Sequence, residues 1–233
     1  MAEYQPGRIA FHRPAHVSAP LAIFYHCLLT SKERHIDPDY ALSLIEAQMK
    51  AIRESGLEEA SSAIYVGVNG AESDALAVAC MIPSKAVLVC HGPGATTEIP
   101  TIALLRSWVL THPQWYVLYH HTKGISTPNQ ADGWRRRMEH HNVWLWRQCV
   151  AALEQGHDAC GCHWLTPEQN PGTITSPFFG GTYWWATSDY LATLPPLPDP
   201  VWGNRYEAES WIGRGPKRPR IRDFHPGWPA LGD

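Results

Sequence analysis

The sequence lacks an apolar run of about 20 residues, the length that a bilayer-spanning helix needs. Its N-terminus also lacks a basic segment followed by an apolar core, the pattern of a secretory signal. The formal net charge is only −3 over 233 residues, which argues against a protein that coats nucleic acid through a large positive charge. The six cysteines have none of the dense, regular spacing of a small disulfide-built scaffold. These absences predict a cytoplasmic protein with reduced thiols. The length of 233 residues predicts a single domain over residues 1–233.

Two common nucleotide-binding motifs are also missing. No G-x-G-x-x-G follows the first apolar run, and the His-Gly-Pro-Gly segment at 91–94 is not a phosphate-cradling loop of the Walker type. The short run Cys160-x-Cys162-His163 has no second pair of ligands, so a structural zinc site is not indicated. Any nucleotide site must therefore be built in another way.

Tryptophan, in contrast, is abundant, with 11 residues in this chain. Aromatic faces stack on sugar rings and nucleobases, so this excess is compatible with a carbohydrate or nucleotide site. Core filling is the alternative for many of these side chains.

Apolar runs alternate with helical patterns through the first half. Strands are predicted at 21–29, 62–68, 86–90 and 116–119, and helices at 37–55 and from 96–98 onward. The second half predicts a long helix at 131–155, extended segments at 158–164 and 178–187, and helices at 188–194 and 204–212. Arg135 is expected on the outer face of the long helix. The layout predicts an α/β fold with a mixed, mainly parallel sheet flanked by helices. Residues from about 20 to 125 form the expected nucleotide-binding half, 126–212 the acceptor half, and 213–233 an irregular basic tail.

The central stretch of the chain is residues 115–126, WYVLYHHTKGIS. It reads as a buried strand that stops in the polar cluster His120, His121, Thr122 and Lys123, followed by a glycine. Ligands of open α/β sheets bind where strands end at their carboxyl edges, so this cluster is a candidate substrate-binding site. Lys123 is the best candidate for a phosphate contact; for the histidines, the alternative is that one packs and one makes a local hydrogen bond.

Four segments together carry a family resemblance: YHHTKGIS at 119–126, WRRRME at 134–139, FGGTYWWA at 179–186 and RYEAESWI at 205–212. They resemble bacterial glycosyltransferase-like proteins of the GT-A type, in which the first motif reads LHTKG and the third reads GNFWWA. The resemblance spans about residues 85–212. It implies a GT-A-like, Rossmann-like fold and transfer of a sugar from a nucleotide sugar donor to an acceptor hydroxyl; a saccharide, a protein and a nucleic acid all remain open as acceptors.

The resemblance also implies a divalent cation, because GT-A enzymes typically hold the diphosphate through Mn²⁺ or Mg²⁺ bound by an Asp-x-Asp motif. Here the sequence has His120 to Lys123 where that motif is sought, and a lysine would neutralise the diphosphate directly. The asparagine of the family's aromatic motif is replaced by Thr182. Some GT-A enzymes use a late histidine as a metal ligand, which makes His225 the candidate metal ligand.

Two carboxylates are candidates for the catalytic base of an inverting transfer. Glu207 and Glu209 lie two positions apart and diverge by about 200° on a helix, so only one can face a site. A carboxylate within hydrogen-bond reach of the acceptor hydroxyl would deprotonate it. Glu209 is preferred over Glu207, with a solvated helix face or a pair with Arg205 as the alternative for either.

Further substrate-binding residues are expected in the aromatic motif. Trp184 and Trp185 point to opposite sides of an extended segment, so one can pack inward while the other lines the cleft. Gly180 and Gly181 allow close approach of a sugar to the backbone. Asp189 is interpreted as a carboxylate in the first turn of a helix, with an acceptor contact as the alternative.

Two other functions remain open from the sequence. A binding module could keep the glycosyltransferase shape and recognise a glycan or nucleotide without turnover, which the missing Asp-x-Asp favours. A DNA-modifying sugar transferase is the other, because residues 217–222 (KRPRIR) carry four positive charges. A solvated tail is the simpler explanation of that basic run.

Overall fold

A computed structural model describes residues 17–29, 35–94, 97–126, 128–169, 175–197 and 205–225. The strands of this part of the chain are β1 (Leu21–Leu28), β2 (Ser61–Asn69), β3 (Val87–Cys90), β4 (Tyr116–His121), β5 (Ala159–Gly161), β6 (Trp164–Leu165), β7 (Phe178–Phe179), β8 (Trp184–Thr187) and β9 (Ile221–Asp223). The α-helices are α1 (Pro38–Glu54), α2 (Leu57–Ala60), α3 (Glu72–Ala79), α4 (Ile99–Val109), α5 (Pro128–Glu139), α6 (Trp146–Glu154), α7 (Ser188–Ala192) and α8 (Arg205–Ser210). A π-helical turn covers His140–Trp144, and a 3₁₀ turn covers Trp211–Gly213.

Seven of the described strands form one sheet in the order β3-β2-β1-β4-β8-β5-β9. The first four run parallel to one another, β8 runs antiparallel to both of its neighbours, and β9 runs parallel to β5. The fold is therefore α/β with a mixed, mainly parallel sheet flanked by helices, which confirms the predicted fold class. Strands β6 and β7 pair separately as a small antiparallel ribbon.

The central strand β1 is buried on both faces, as its continuous apolar run predicts. Ile23 and Tyr25 of β1 belong to the hydrophobic cluster under α1 and α6, whereas Ala22 and Phe24 belong to the cluster under α4, α7 and α8. Burying one such large apolar side chain contributes about 1.5–3 kcal/mol. Alternate residues of one strand thus stabilise two separate layers of helices.

Helix α1 begins where the sequence predicts. The side chain of Asp37 accepts hydrogen bonds from the backbone N–H groups of Asp39 and Tyr40, at 3.0 and 3.3 Å, and Pro38 occupies the first turn. Such a cap satisfies backbone donors that have no partner inside the helix. No helix of the described residues combines the length and apolar composition that a bilayer crossing demands.

Three predictions about the second half are wrong. The long helix expected at 131–155 is interrupted by the π-helical turn, in which the N–H of Leu145 donates to the carbonyl of His140 at 2.9 Å. Arg135, expected on the outer face, is 7% exposed. The tail expected to be irregular contributes β9, which pairs with β5; residues 226–233 lie outside the described part of the chain.

Candidate functional site at the C-terminal edge of the sheet

Strands β1 to β4 end at one edge of the sheet, called here the C-terminal edge. His121 is the last residue of β4, and it lies in register with His26 of β1. Strand β8 runs antiparallel to both β4 and β5, so β5 has the same direction as β4, and β9 runs parallel to β5. The C-terminal ends of β5 and β9 therefore lie at this edge too. The predicted polar cluster is thus placed where ligands of α/β sheets bind.

The imidazole of His121 is held from both sides. Its Nε2 lies 2.8 Å from the carbonyl oxygen of Gly181, and its Nδ1 lies 3.1 Å from Oε1 of Glu98. The hydroxyl of Tyr119 donates to the other oxygen of Glu98 at 3.2 Å. These four residues, His121, Glu98, Tyr119 and Gly181, are called the His121 cluster below.

The pKa of His121 is lowered to about 3, mainly by burial and also by the positive charge of Lys123, whereas the hydrogen bond to Gly181 and the charge of Glu209 act in the opposite direction. The ring is therefore uncharged near neutral pH. Because charge interactions fall off with distance, these effects also place Lys123 and Glu209 within electrostatic reach of the same ring.

His120 packs in the core and does not contact the predicted substrate site, which agrees with the alternative that one histidine packs while the other makes a local hydrogen bond. It is 0% exposed, and its ring lies between Tyr25 and Tyr183, with centroid distances of 5.1 and 4.2 Å. Neither ring nitrogen has a hydrogen-bond partner within the described part of the chain. Burial lowers the pKa of His120 well below its usual value, so the ring is a neutral packing element.

A glutamine of α1 links the end of β4 to two other elements. The amide nitrogen of Gln48 donates to Glu139 at 2.8 Å and to the hydroxyl of Tyr183 at 2.8 Å, and lies 3.3 Å from the carbonyl of His121. Its oxygen accepts from Tyr25 at 2.6 Å, and the hydroxyl of Tyr183 donates to the carbonyl of His121 at 2.5 Å. These bonds fix the backbone position of His121.

Thr122 and Lys123 have different environments. The hydroxyl of Thr122 accepts from the N–H of Leu28 at 3.1 Å and is 3% exposed, so this side chain joins the loop to β1 and does not face a ligand. The ammonium group of Lys123 lies 4.5 Å from the ring centroid of Trp134, a cation–π distance. Lys123 is only partly buried, which leaves it the better candidate for contact with an anion.

Arg135 holds the loop that follows β4 through a hydrogen bond to its backbone. Its guanidinium lies 2.6 Å from Asp132 and 3.8 Å from Glu139, and it donates to the carbonyl of Lys123 at 3.3 Å. A buried arginine with two carboxylate partners has its charge compensated. Arg135 therefore helps to hold the loop in place and is not an outward-facing residue of the helix.

The turn before β8 requires its glycines. A Cβ on Gly180 would lie 2.4 Å from the ring of His163, and one on Gly181 would lie 2.4 Å from the sulfur of Met138. Gly181 has φ +88°, and Thr182 follows with φ +61°. Protein side chains fill the space in which a sugar was predicted to approach these glycines, and the contribution of Gly181 is its carbonyl bond to His121.

Trp184 and Trp185 do point to opposite faces, but neither lines a cleft. They are 1% and 0% exposed, respectively. Trp184 stacks on Tyr119 with a centroid distance of 5.1 Å, and the indole N–H of Trp185 donates to the carbonyl of Asn142 at 2.9 Å. The prediction that one of them binds substrate is wrong, because both interior layers of the sheet extend as far as this strand.

Asp189 lies at the opposite edge of the sheet. Its carboxylate accepts from the N–H of Gln114 at 3.1 Å, just before β4 begins, and it occupies the first turn of α7. Because His121 ends the same strand, the two are separated by its whole length. The helix-terminus interpretation agrees with this position, and the acceptor contact does not.

The two candidate bases differ in their partners. Glu207 forms an ion pair with Arg214. The negative charge of Glu209, in contrast, raises the pKa of His121. This charge effect favours Glu209 over Glu207 as the residue associated with the His121 cluster.

His225 is not part of a metal cluster in the described residues. Its Nε2 lies 2.8 Å from Nε2 of His141, and its backbone N–H donates to Asp223 at 2.9 Å. Within the described ranges no group of three or more His, Cys, Asp or Glu side chains could hold a metal ion. The described donor set therefore does not fit the divalent cation that the resemblance implies, and the positive group at the end of β4 is Lys123 instead.

The sequence missed Glu98, Gln48 and Tyr183 as residues of the site. The sequence pattern indicates Glu98 only as a possible helix start and Tyr183 only as part of an aromatic motif. Gln48 offered a usable signal, since it is a polar residue within the buried stripe of α1, between Ile45 and Met49. A buried polar side chain requires a hydrogen-bond partner, which indicates a structured polar region nearby.

A family model described as "Domain of unknown function (DUF8361)" matches residues 24–199. No curated protein matches the chain significantly. A structure of Rv0371c from Mycobacterium tuberculosis H37Rv is similar at 12% identity, over 90% of this chain and 88% of that chain, with a TM-score of 0.43. The same protein in complex with manganese gives 10% identity, 89% and 88% coverage and a TM-score of 0.42.

The structure of CMP:2-keto-3-deoxy-manno-octonic acid synthetase in complex with CTP is similar at 12% identity, over 89% of this chain and 90% of that chain, with a TM-score of 0.45. These likenesses to solved structures are too distant to carry an activity to this chain.

Proposed function

The chain belongs to the DUF8361 family, and we propose that it is a glycosyltransferase that moves a sugar from a nucleoside-diphosphate sugar to an acceptor hydroxyl. The observation that supports this most is the convergence of the four motif segments on one residue. His121 lies in the first motif, and its ring bonds the carbonyl of Gly181 in the third. Gln48 connects the carbonyl of His121 to Glu139 of the second, and Glu209 of the fourth influences the ring electrostatically.

In the proposed reaction, Lys123 lies beside the diphosphate of the donor. The carboxylate of Glu209 takes the proton of the acceptor hydroxyl while that oxygen attacks the anomeric carbon. The bond from this carbon to the diphosphate oxygen breaks, and the leaving nucleoside diphosphate keeps the electron pair. The ammonium group of Lys123 offsets the charge that develops on the leaving oxygen.

Thermal-shift measurements with a panel of nucleotide sugars test donor binding, because a ligand of the folded state raises the melting temperature. The panel is run with and without Mn²⁺, which measures any contribution of a divalent cation. The donor that stabilises the chain is then incubated with candidate acceptors, and the released nucleoside diphosphate is quantified. A chain that no nucleotide sugar stabilises would contradict the proposal.

We expect Glu209→Gln to lower the release of nucleoside diphosphate by about 10²–10⁴-fold, the usual contribution of a general base. The thermal shift with donor should persist, because the amide keeps the size of the side chain. Glu207→Gln is the matched control and should change turnover by less than about tenfold, since Glu207 is paired with Arg214. Equal losses in both variants would remove Glu209 from the role of base.

A binding module without turnover is the second candidate. The burial of Trp184 and Trp185, together with the lack of a metal-binding cluster in the described ranges, favours it over an enzyme of the usual GT-A type. A thermal shift with a nucleotide sugar, accompanied by no release of nucleoside diphosphate with any acceptor or with water, would support this second function.

A further inference from the structure

The His121 cluster contains a hydrogen-bonding conflict that one additional proton resolves. A neutral imidazole has one N–H donor and one acceptor nitrogen. The carbonyl of Gly181, 2.8 Å from Nε2, can only accept, so Nε2 carries the hydrogen. Nδ1 is then an acceptor, yet it lies 3.1 Å from Oε1 of Glu98, which as a carboxylate is an acceptor as well.

Two acceptors at this distance require a hydrogen between them. It can be carried by the ring, giving an imidazolium next to a carboxylate, or by Glu98, giving a neutral pair. The side chains of His121 and Glu98 are 10% and 16% exposed. Burial of this degree disfavours two separate charges relative to a neutral pair, so the hydrogen is better placed on Glu98.

The second oxygen of Glu98 fits a carboxylic acid. It accepts a hydrogen bond from the hydroxyl of Tyr119 at 3.2 Å, as the carbonyl oxygen of an acid group does. The first oxygen is then the hydroxyl that donates to His121. Each of the three contacts named above then pairs a donor with an acceptor.

We propose that Glu98 is a protonated carboxylic acid at neutral pH that donates its hydrogen to Nδ1 of His121, and that it acts as a positioning residue of the C-terminal edge. It keeps His121 in the tautomer that bonds the turn before β8. It also keeps a negative charge away from the edge where Lys123 lies. The protonation of Glu98 is proposed independently of any reaction that the protein catalyses.

Other titratable and charged groups surround the pair and are part of its electrostatics. They are Tyr119 of β4, His26 of β1, Lys123 of the following loop, Tyr183 before β8 and Glu209 of α8. His26 is buried, and burial lowers its pKa well below the usual value, so it adds no charge near neutral pH. Lys123 and Glu209 carry opposite charges that partly cancel at the ring.

Spectroscopy tests the position of the proton directly. In the infrared spectrum of the full chain at neutral pH, we expect a protonated-carboxyl band that is absent from Glu98→Gln. In long-range ¹H–¹⁵N spectra of the wild-type chain, His121 should appear as a neutral ring with hydrogen on Nε2. An imidazolium, or a neutral ring with hydrogen on Nδ1, would overturn the proposal even if the variant did not fold.

The pH dependence of stability gives an independent measure. Above about pH 4.3, the ordinary value for glutamate, the unfolded chain has lost a proton that the folded pair retains. The contribution of Glu98 to stability is therefore lost as the pH rises, and until the folded pair releases its proton the folding constant of wild type relative to Glu98→Gln should fall about tenfold per pH unit. A ratio that is independent of pH would overturn the proposal.

Comparing Glu98→Gln with Glu98→Ala distinguishes a role of Glu98 in positioning His121 from a role in packing alone. The amide N–H of Glu98→Gln can still donate to Nδ1 of His121, so the ¹⁵N resonance of Nδ1 should stay close to its wild-type position, whereas Glu98→Ala removes the donor and should shift that resonance. Shifts of the same size in both variants would count against the donor role of Glu98.

One consequence rests on the proposed function. Inorganic pyrophosphate should bind wild type more weakly as the pair loses its proton at high pH, because a carboxylate would then face the anion, and Glu98→Gln should not show this loss. If pyrophosphate does not bind either protein, the proposed function fails at this point, while the spectroscopic results decide on the proton separately.

Discussion

At the scale of single residues, the sequence predicted positions better than roles. It placed His121 and Lys123 at the end of a central strand because a buried apolar run followed by polar residues is a local pattern. It left open which of the two histidines packs, since the ring partners of His120, Tyr25 and Tyr183, are distant from it in the sequence. Neighbouring residues of β4 point to opposite faces of the sheet. The residues that pack on each face then determine whether a histidine there has hydrogen-bond partners.

The proposed binding of a nucleoside diphosphate depends most on Lys123. We expect Lys123→Ala to weaken binding of a nucleoside diphosphate by roughly tenfold to a hundredfold, because hydrogen bonds to charged groups contribute about 1.5–3 kcal/mol. Calorimetric titration measures the loss. Lys50→Ala is the control, since its side chain is 67% exposed on α1 and pairs with the carboxylate of Glu54. Unchanged affinity in Lys123→Ala would refute the phosphate assignment.

At the scale of elements, helices and strands with strong periodicity were predicted to within a few residues. The capped helix α1 and the strands β1, β2 and β4 are examples. The break of the long helix at His140 was not visible, because the apolar positions on either side of a π-helical turn keep a nearly helical spacing. Strand β9 was missed because three residues in a basic, proline-containing segment do not form a recognisable pattern.

The turn before β8 shows why an element can depend on one glycine. Gly181→Ala should lower the free energy of unfolding by about 2–4 kcal/mol, because a left-handed alanine is strained and its Cβ would meet Met138. Gly133→Ala is the matched control: this glycine lies inside α5 with nothing within 4 Å, and the change should add about 0.5–1 kcal/mol. Urea unfolding of both variants measures the difference. Equal effects would contradict this account of the turn.

At the scale of the whole molecule, the sequence predicted the α/β class but not the order of the sheet. The position of β8 between β4 and β5 depends on pairings between residues that are far apart in the chain. This arrangement brings Gly181 to His121 and carries Asp189 to the opposite edge. Contacts of this kind are not encoded in local periodicity, which is why the composition of the site was only partly predicted.

Buried histidines should make the whole fold sensitive to acid. Burial lowers the pKa values of His26 and His120 well below the usual range, so below about pH 6.5 the unfolded chain takes up protons that the folded chain does not. Stability is present above this pH and is lost as the pH falls. Two such groups remove roughly 3 kcal/mol per pH unit, a large part of a typical total of about 5–15 kcal/mol.

Urea unfolding at a series of pH values checks this slope. His120→Phe should reduce it by about 1.4 kcal/mol per pH unit, and should itself stabilise the chain, because the ring between Tyr25 and Tyr183 forms no hydrogen bond within the described residues. A variant with the wild-type slope would show that His120 is protonated in the folded state.

The π-helical turn at His140–Trp144 sets the rotational phase of everything that follows it in α6. Each residue of an α-helix advances the direction of the side chain by about 100°, so excising one residue from the turn would rotate Trp146 and Cys149 out of the layer under the sheet. Homologues whose length differs by one residue here are therefore expected to have repacked that layer with different side chains.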